Sequence, residues 1–458
     1  MFLDAATLRD LEALVPTAPN GPTLLGLVDR TRTRIGRERL RHRLMAPSHD
    51  PREILDLQRA HQVIAADSTT FRRIIDQAGC DDTEQYLKTN WQLPAEMRGL
   101  LPVLGGLGRI GWMQQYLKDV RKGQYCVTAL LDAATDLCRT VADTRARVLK
   151  DLRQRLDTLI SAPSAQELLQ LRRRRSVGDL RAFDQLAREG AKPLIVEALE
   201  VIGTLEAMWS LTTVSTERGW SYPRPGSRLT TVGLAHPFLD STQVTNDLDL
   251  NDRVHVCFVT GPNMAGKSTF LKAVAIAMLL AHTGCGVPAI SMEFPVVETI
   301  FSSVHIVDNL SAGESFYLAE VRRIKALASA LHEHRSTLAV IDEPFRGTNV
   351  HDAAEATVAV MTRLAAHPSA LVLLASHIGE VAPVVANDPR IRLLHFAADV
   401  TTEPPRFDYR LREGVSLQRL GMTLLRQEQV LDLLERATGS MAAQGEDQSH
   451  APASKRNA

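Results

Sequence analysis

"FVTGPNMAGKSTFLKAVAIAM", residues 258–278, decides how the rest of the chain is read. Val254, Val256, Phe258 and Val259 lead into it as a short apolar run with a β-branched bias, the pattern of a strand buried in a parallel sheet. Gly261, Gly266, Lys267 and Ser268 then match the spacing of a phosphate-binding loop. Glycines allow backbone N–H groups to turn inward around a phosphate. Lys267 would reach the β and γ phosphates of ATP, and the Ser268 hydroxyl would ligate Mg²⁺. After Thr269, "FLKAVAIAMLLA" predicts a helix whose positive N-terminal end faces the same anion.

The chain has 458 residues, enough for two or three domains. Its 53 basic and 53 acidic residues give zero net charge, so any nucleic-acid surface must be local. Five cysteines (Cys80, Cys126, Cys138, Cys257, Cys285) contain no C-x-x-C pair, which suits reduced thiols in a cytoplasm. The uncharged run 273–292 is broken by His282, Gly284, Gly286 and Pro288, so no membrane span is expected there. The start, "MFLDAATLRDLEALV", is acidic and has no signal-peptide core.

Residues 1–218 read as helical, and the proline-free stretch 125–161 is rich in Leu, Ala, Arg and Asp. "RGWSYPRPGSR" (218–228) is a proline and glycine break, where a domain boundary is expected. Strands and helices then alternate over 254–260, 267–281, 315–334, 337–342, 352–366 and 370–376, which predicts a doubly wound α/β domain spanning 219–437. Residues 438–458 have the composition of a disordered tail.

"TLAVIDEPFRGTN" (337–349) reads as a strand ending in Asp342 and Glu343. The first carboxylate could hold the Mg²⁺ water shell, and the second could orient or deprotonate an attacking water. An exposed acidic turn is the plain alternative. "LLASHIGE" (373–380) is another apolar strand, ending in Ser376 and His377. Alone, such a histidine is more often a core or capping residue. A third strand end aimed at one crevice favours a γ-phosphate contact. In "DNLSAGESFYLAEVRRIKALASALHEH" (308–334), Gly313 opens a helix with Leu318, Val321, Ile324, Leu327 and Leu331 at helical spacing, and Ser315 is a candidate N-cap. This is similar to the signature loop of ABC-type ATPases, which completes the nucleotide site of a second subunit; an ordinary capped helix is the alternative.

"TGPNMAGKSTFLK", "SAGESFYLAE", "IDEPFRGTN" and "ASH", in this order, resemble the ATPase domain of the MutS family of DNA mismatch-repair proteins. "LDAATLRDLEAL" and "TLLGLVDRTRTRIGRERLRHRLMAP" within 3–47 are similar to the start of that family's core or lever domain, and "HPFL" (236–239) and "NDLDL" (246–250) to its approach to the phosphate loop. The resemblance implies an all-helical core/lever domain (1–218) followed by a P-loop ABC-type α/β ATPase domain. It implies nucleotide contacts from Gly261, Pro262, Asn263, Met264, Ala265, Gly266, Lys267, Ser268 and Thr269. Catalytic roles would fall to Lys267, Glu343 and the γ-phosphate sensor His377, and magnesium ligation to Ser268 and Asp342. Ser311, Gly313 and Ser315 would act across a homodimer of ATPase domains.

This sequence departs from the pattern in places. Ala265 replaces a usual glycine, Ala312 stands where the signature serine is expected, and no adenine-stacking aromatic occurs around Gln243 and Val244. As given, the chain opens on core-like sequence, so mismatch recognition is not expected of it. The expected partner is duplex or branched DNA, gripped without sequence preference, with no membrane partner. Arg172–Arg175 could touch a DNA backbone, though four arginines on a helix are more often a solvated face. The arginine-rich 30–43 stretch reads as structural. Two further readings compete: another ABC-type machine, or a nucleotide-regulated scaffold. A chromosome clamp would insert a long coiled coil between phosphate loop and Asp-Glu strand, and the interval from Lys267 to Asp342 is too short for one.

Overall fold

The computed structural model describes residues 1–89, 111–239, 243–304, 316–333, 335–400, 402, 405–416, 418 and 425–434. The expected signature residues Ser311, Gly313 and Ser315 and the tail 438–458 lie outside these. The architecture is mixed α and β. Among the described residues, every helix from Ala5 to Glu217 precedes the first strand, Arg224–Gly226.

The helical part is organised around Lys192–Glu217. From Ala198 to Ser215 it is buried on nearly every side, mostly through apolar residues, which places it inside the bundle rather than on its surface. The buried Glu206 carboxylate accepts the N–H groups of Arg32 (2.5 Å) and Thr33 (3.1 Å), tying down the entry to the helix Arg34–Met45. Arginines 30–43 mostly serve the fold. Arg30 pairs with Glu217 at 2.8 Å, Arg32 with Asp76 at 2.9 Å and Arg37 with Asp29 at 3.1 Å.

The proline-free stretch 125–161 is helical with one interruption: Gly111–Thr140 stops, and Arg147–Ile160 begins after a turn. The cap that starts the second helix is distant in sequence, since Asp56 accepts the N–H groups of Arg147 (2.8 Å) and Val148 (2.6 Å). One feature differs from the sequence reading: Arg172–Arg175 do not form a helical face. The helix Pro163–Leu171 ends before them, so they sit in a turn. Arg172 there faces Asp132 at 3.5 Å, Arg174 faces Asp179 at 3.6 Å, and Arg175 donates to Gln124.

Beyond residue 224 a six-stranded sheet runs in the order Arg412–Glu413, Ile391–His395, Val256–Thr260, Ala370–Ala375, Thr337–Asp342, Thr299–Ser303. All pairings are parallel except that of the edge strand Arg412–Glu413. Val256–Thr260, Thr337–Asp342 and Ala370–Ala375 are buried throughout, because helices cover both faces; that is why they read as continuous apolar runs. A smaller four-stranded sheet (Arg224–Gly226, Ser291–Pro295, Leu229–Leu234, Asn246–Leu250) lies alongside. The helix Lys267–His282 is buried nearly along its length and shares one apolar core with Leu40, Leu44, Ile54 and Leu211 of the helical part.

The first residues cover the outer edge of the large sheet. Phe2 N–H donates to Glu298 O at 2.7 Å, and Asp10 accepts from Ser302 Oγ (2.9 Å) and Val304 N–H (2.8 Å). An edge strand left open would be free to pair with another chain.

Two buried histidines make this junction sensitive to acid. His282 donates from Nδ1 to Met278 O (2.7 Å) and accepts Val297 N–H at Nε2 (3.0 Å), a pattern only the neutral ring satisfies. His61 Nδ1 lies 2.7 Å from Thr212 Oγ1. Burial pushes His282 down to about 4, and burial with the nearby Arg43 charge pushes His61 down to about 3, both from 6.5. The unfolded chain therefore takes up these protons first. Stability is fully present above 6.5 and is lost as pH falls through that window towards 4 and 3. Each ring contributes about 1.4 kcal/mol per pH unit there. Urea midpoints near pH 7.5 and near pH 5 should differ by a few kcal/mol in unfolding free energy, and equal midpoints would contradict neutral burial.

Candidate functional site

Three strand ends of the large sheet converge on one place, at the carboxyl edge where α/β sheets bind ligands. Val256–Thr260 runs into the loop 261–266, which feeds the helix Lys267–His282. Gly261 holds φ at +142°, and a Cβ on it would lie 2.6 Å from Phe396 O, so only glycine fits. Gly266 (φ +106°) and Met264 (φ +69°) complete the reversal, with Met264 largely exposed at the tip.

Lys267 is only 4 % exposed. Its Nζ donates to Gly261 O (2.9 Å) and Pro262 O (3.2 Å) and lies 3.5 Å from Glu343 Oε1. The lysine thus curls back into its own loop. Burial pulls its ammonium below the ordinary value, opposed by the charges of Glu343 and Asp342. Ser268 Oγ donates to Asp342 Oδ2, while Asp342 Oδ1 is buried without a partner. Burial raises the Asp342 carboxyl above its ordinary value. An unpaired buried carboxylate oxygen beside a hydroxyl is a hard-oxygen donor set that fits Mg²⁺, which takes one or two carboxylates and completes its shell from phosphate and water. Among the described residues no group of three or more His, Cys, Asp or Glu is placed to hold a metal.

Glu343 follows with a left-handed backbone (φ +45°), an unusual conformation for a residue with a side chain. It turns the carboxylate back over the loop. Oε2 lies 3.1 Å from His377 Nδ1 and 3.2 Å from Arg346 Nε. Burial alone would raise this carboxyl, but the hydrogen bond from His377 and the charges of Arg346, His377 and Lys267 prevail and hold it at about 2. It is therefore ionised throughout the physiological range.

The loop opens onto a cavity of about 700 Å³. Its lining combines polar groups of the loop and strand ends, Asn263, Lys267, Ser268, Thr269 and Glu343, with Leu234, His236, Val244, Phe396 and Tyr409. Sequence reasoning missed two of these groups. Around Gln243 and Val244 it found no ring, yet Tyr409 brings one to the cavity from far along the chain. Tyr409 Cδ1 lies 3.4 Å from where a Gly266 Cβ would be, and Asn246 pins its turn, donating to Tyr409 O (3.1 Å) and accepting Leu411 N–H (2.7 Å). Arg346 is the other, a cation beside Glu343 inside the quoted "IDEPFRGTN". Its position three residues after Glu343 was the available signal; for Tyr409 there was none.

Of the residues singled out from sequence, Gly261 to Thr269, Asp342, Glu343 and His377 are brought together here. Ser311, Gly313 and Ser315 fall outside the described residues.

Comparison with known proteins bears on the family. A DNA mismatch repair protein MutS from Natronomonas pharaonis is 29% identical over 313 residues, 66% of this chain and 35% of that protein. The MutS of Roseiflexus castenholzii is 31% identical over 282 residues, 59% of this chain and 25% of its own length. A "DNA mismatch repair protein MutS 2" from Halobacterium salinarum is 29% identical over 248 residues, 52% of this chain and 28% of that one. The chain thus spans roughly a quarter to a third of these relatives. The family model for MutS domain V matches residues 257–443, the stretch holding all three converging strand ends. Since the model for MutS domain III also matches residues 6–342, most of the chain is accounted for, and it belongs to the MutS family.

Proposed function

We propose that this chain binds ATP with Mg²⁺ and hydrolyses it as a DNA-acting MutS-type ATPase, working as a dimer through its α/β domains. The observation that carries the reading is the convergence of Lys267, the Ser268–Asp342 pair and the Glu343–His377 pair beside a single cavity. That is the set of groups phosphoryl transfer requires: a cation for the phosphates, a hard-oxygen magnesium corner and an ionised carboxylate.

Each side chain has a task. Lys267 releases the Gly261 and Pro262 carbonyls and pairs with the β and γ phosphates. Ser268 Oγ and Asp342 would hold magnesium, which supplies charge neutralisation at the transferring group. Glu343 accepts the proton of the attacking water at a carboxylate oxygen, and His377 orients that oxygen and meets the γ-phosphate. Tyr409 and Phe396 offer flat apolar surface to the base. The segment with Ser311, Gly313 and Ser315 would reach the nucleotide of a second copy. Phosphate contacts by exposed arginines are the proposed basis for DNA binding, weak and salt-sensitive because several of them are already paired within the chain. Among the described residues, no helix is long and apolar enough to cross a membrane.

The test is phosphate release from ATP with and without magnesium, alone and with plain, mismatched and branched DNA. Light scattering of Glu343→Gln with ATP reports assembly. Magnesium-dependent release and an ATP-stabilised dimer are expected. Absence of both nucleotide binding and hydrolysis would refute the reading.

A further inference from the structure

The helix Phe316–His332 touches the loop after Asp342 through one buried carboxylate that the proposed chemistry leaves unused. Glu320 is 3 % exposed. Its Oε1 accepts Arg346 N–H at 3.0 Å and its Oε2 accepts Gly347 N–H at 3.2 Å. Both oxygens of one side chain therefore hold consecutive amides of the loop that carries Glu343. The loop needs holding, because Glu343 (φ +45°) and Phe345 (φ +66°) both sit in the left-handed region. Two such residues close together cost backbone energy that some neighbouring contact must offset.

The rest of the contact is fitted to the same purpose. Gly347 lies so close to the helix that a Cβ would come within 2.7 Å of Tyr317 N and 2.9 Å of Tyr317 Cα. The Tyr317 and Phe345 rings meet at a tilt of 52°, with centroids 6.0 Å apart. One turn further on, Arg323 anchors the helix. It donates to Asp4, Thr7 and the Ser302 carbonyl, with its guanidinium 3.9 Å over the Phe301 ring. Glu320 thus reaches the loop from a helix that is itself fixed against the edge strand Thr299–Ser303.

We infer that Glu320 is a positioning residue: it holds the 345–347 backbone so that the Glu343 carboxylate and the Arg346 guanidinium face the phosphate end of the cavity. Its two oxygens are taken up by the loop amides. This rests on the proposed ATPase reading for its effect on turnover, but not for the clamp itself. The geometry makes glutamine a sharp probe. An amide of the same shape accepts one N–H and presents its own NH₂ to the other, so one of the two bonds becomes a donor–donor clash.

Steady-state ATPase kinetics and hydrogen exchange by mass spectrometry, on the full chain, test it together. Glu320→Gln should lower kcat by about 10- to 100-fold, the range expected when a catalytic group is displaced by an ångström or so, with KM little changed. In a Glu343→Gln background the same change should cost nothing further, since its effect runs through Glu343. Exchange should speed up in the peptide covering 343–350 while the central sheet keeps its protection. Gly347→Ala reaches the same contact from the loop side with Glu320 intact, and should reproduce the kcat loss if Glu320→Gln does not fold. Unchanged exchange in 343–350, additive losses with Glu343→Gln, or wild-type kcat in Gly347→Ala would each overturn the inference. If the wild type releases no phosphate while Glu320→Gln still frees the loop, the clamp stands and the ATPase reading falls.

Discussion

Lys267→Ala should abolish useful ATP binding, weakening it by about 100-fold or more. The lysine is a buried cation in the cavity lining, and its Nζ is held between two loop carbonyls and Glu343. A charge-assisted bond to a phosphate in such a setting contributes about 3 kcal/mol, and about 1.4 kcal/mol is tenfold in affinity. Alanine removes that bond and leaves the phosphate charge facing Glu343 unscreened. The fold should tolerate the change, since His377 and Arg346 still pair with Glu343. Fluorescence anisotropy with a labelled ATP analogue reads the effect, and an affinity within threefold of wild type would remove Lys267 from the phosphate site.

Glu343→Gln separates binding from chemistry. The carboxylate is ionised from about pH 2 upward and sits between His377 and Arg346, so it is available as a proton acceptor wherever the protein is folded. Glutamine keeps the shape and loses the basicity. Hydrolysis should slow by about 10²–10⁴-fold, the usual contribution of a general base. Nucleotide should still bind, and somewhat more tightly, because one negative charge near the phosphates is gone. Quenched-flow single turnovers measure the chemical step directly. Turnover equal to wild type would assign the proton to another group.

The sequence reading succeeded where short-range pattern carries the information. The run 254–260, read as a strand, contains Val256–Thr260, and 337–342 and 370–376 correspond to Thr337–Asp342 and Ala370–Ala375. The helix after the phosphate loop runs Lys267–His282, against a reading of 267–281. These elements are apolar because both faces of the sheet are covered, and that environment writes itself into consecutive residues. The arginines 172–175 show the limit. Their helix stops at Leu171, and charge pattern alone gave no sign of it.

By itself, then, the sequence determined the glycine loop between strand and helix, the strand-end carboxylates and the family, since each depends on residues within a few positions of one another. The tertiary structure alone decided the remainder. Tyr409 enters the cavity because Asn246 fixes its turn; Asp56 starts a helix at Arg147; Asp10 and Arg323 bind the first residues to the sheet edge; Glu320 holds the loop of Glu343. Each of these contacts joins residues tens to hundreds of positions apart. No periodicity links such partners in the chain. They meet only because burial of the common core brings their backbones together, after which each buried polar group needs a partner and takes the one within reach.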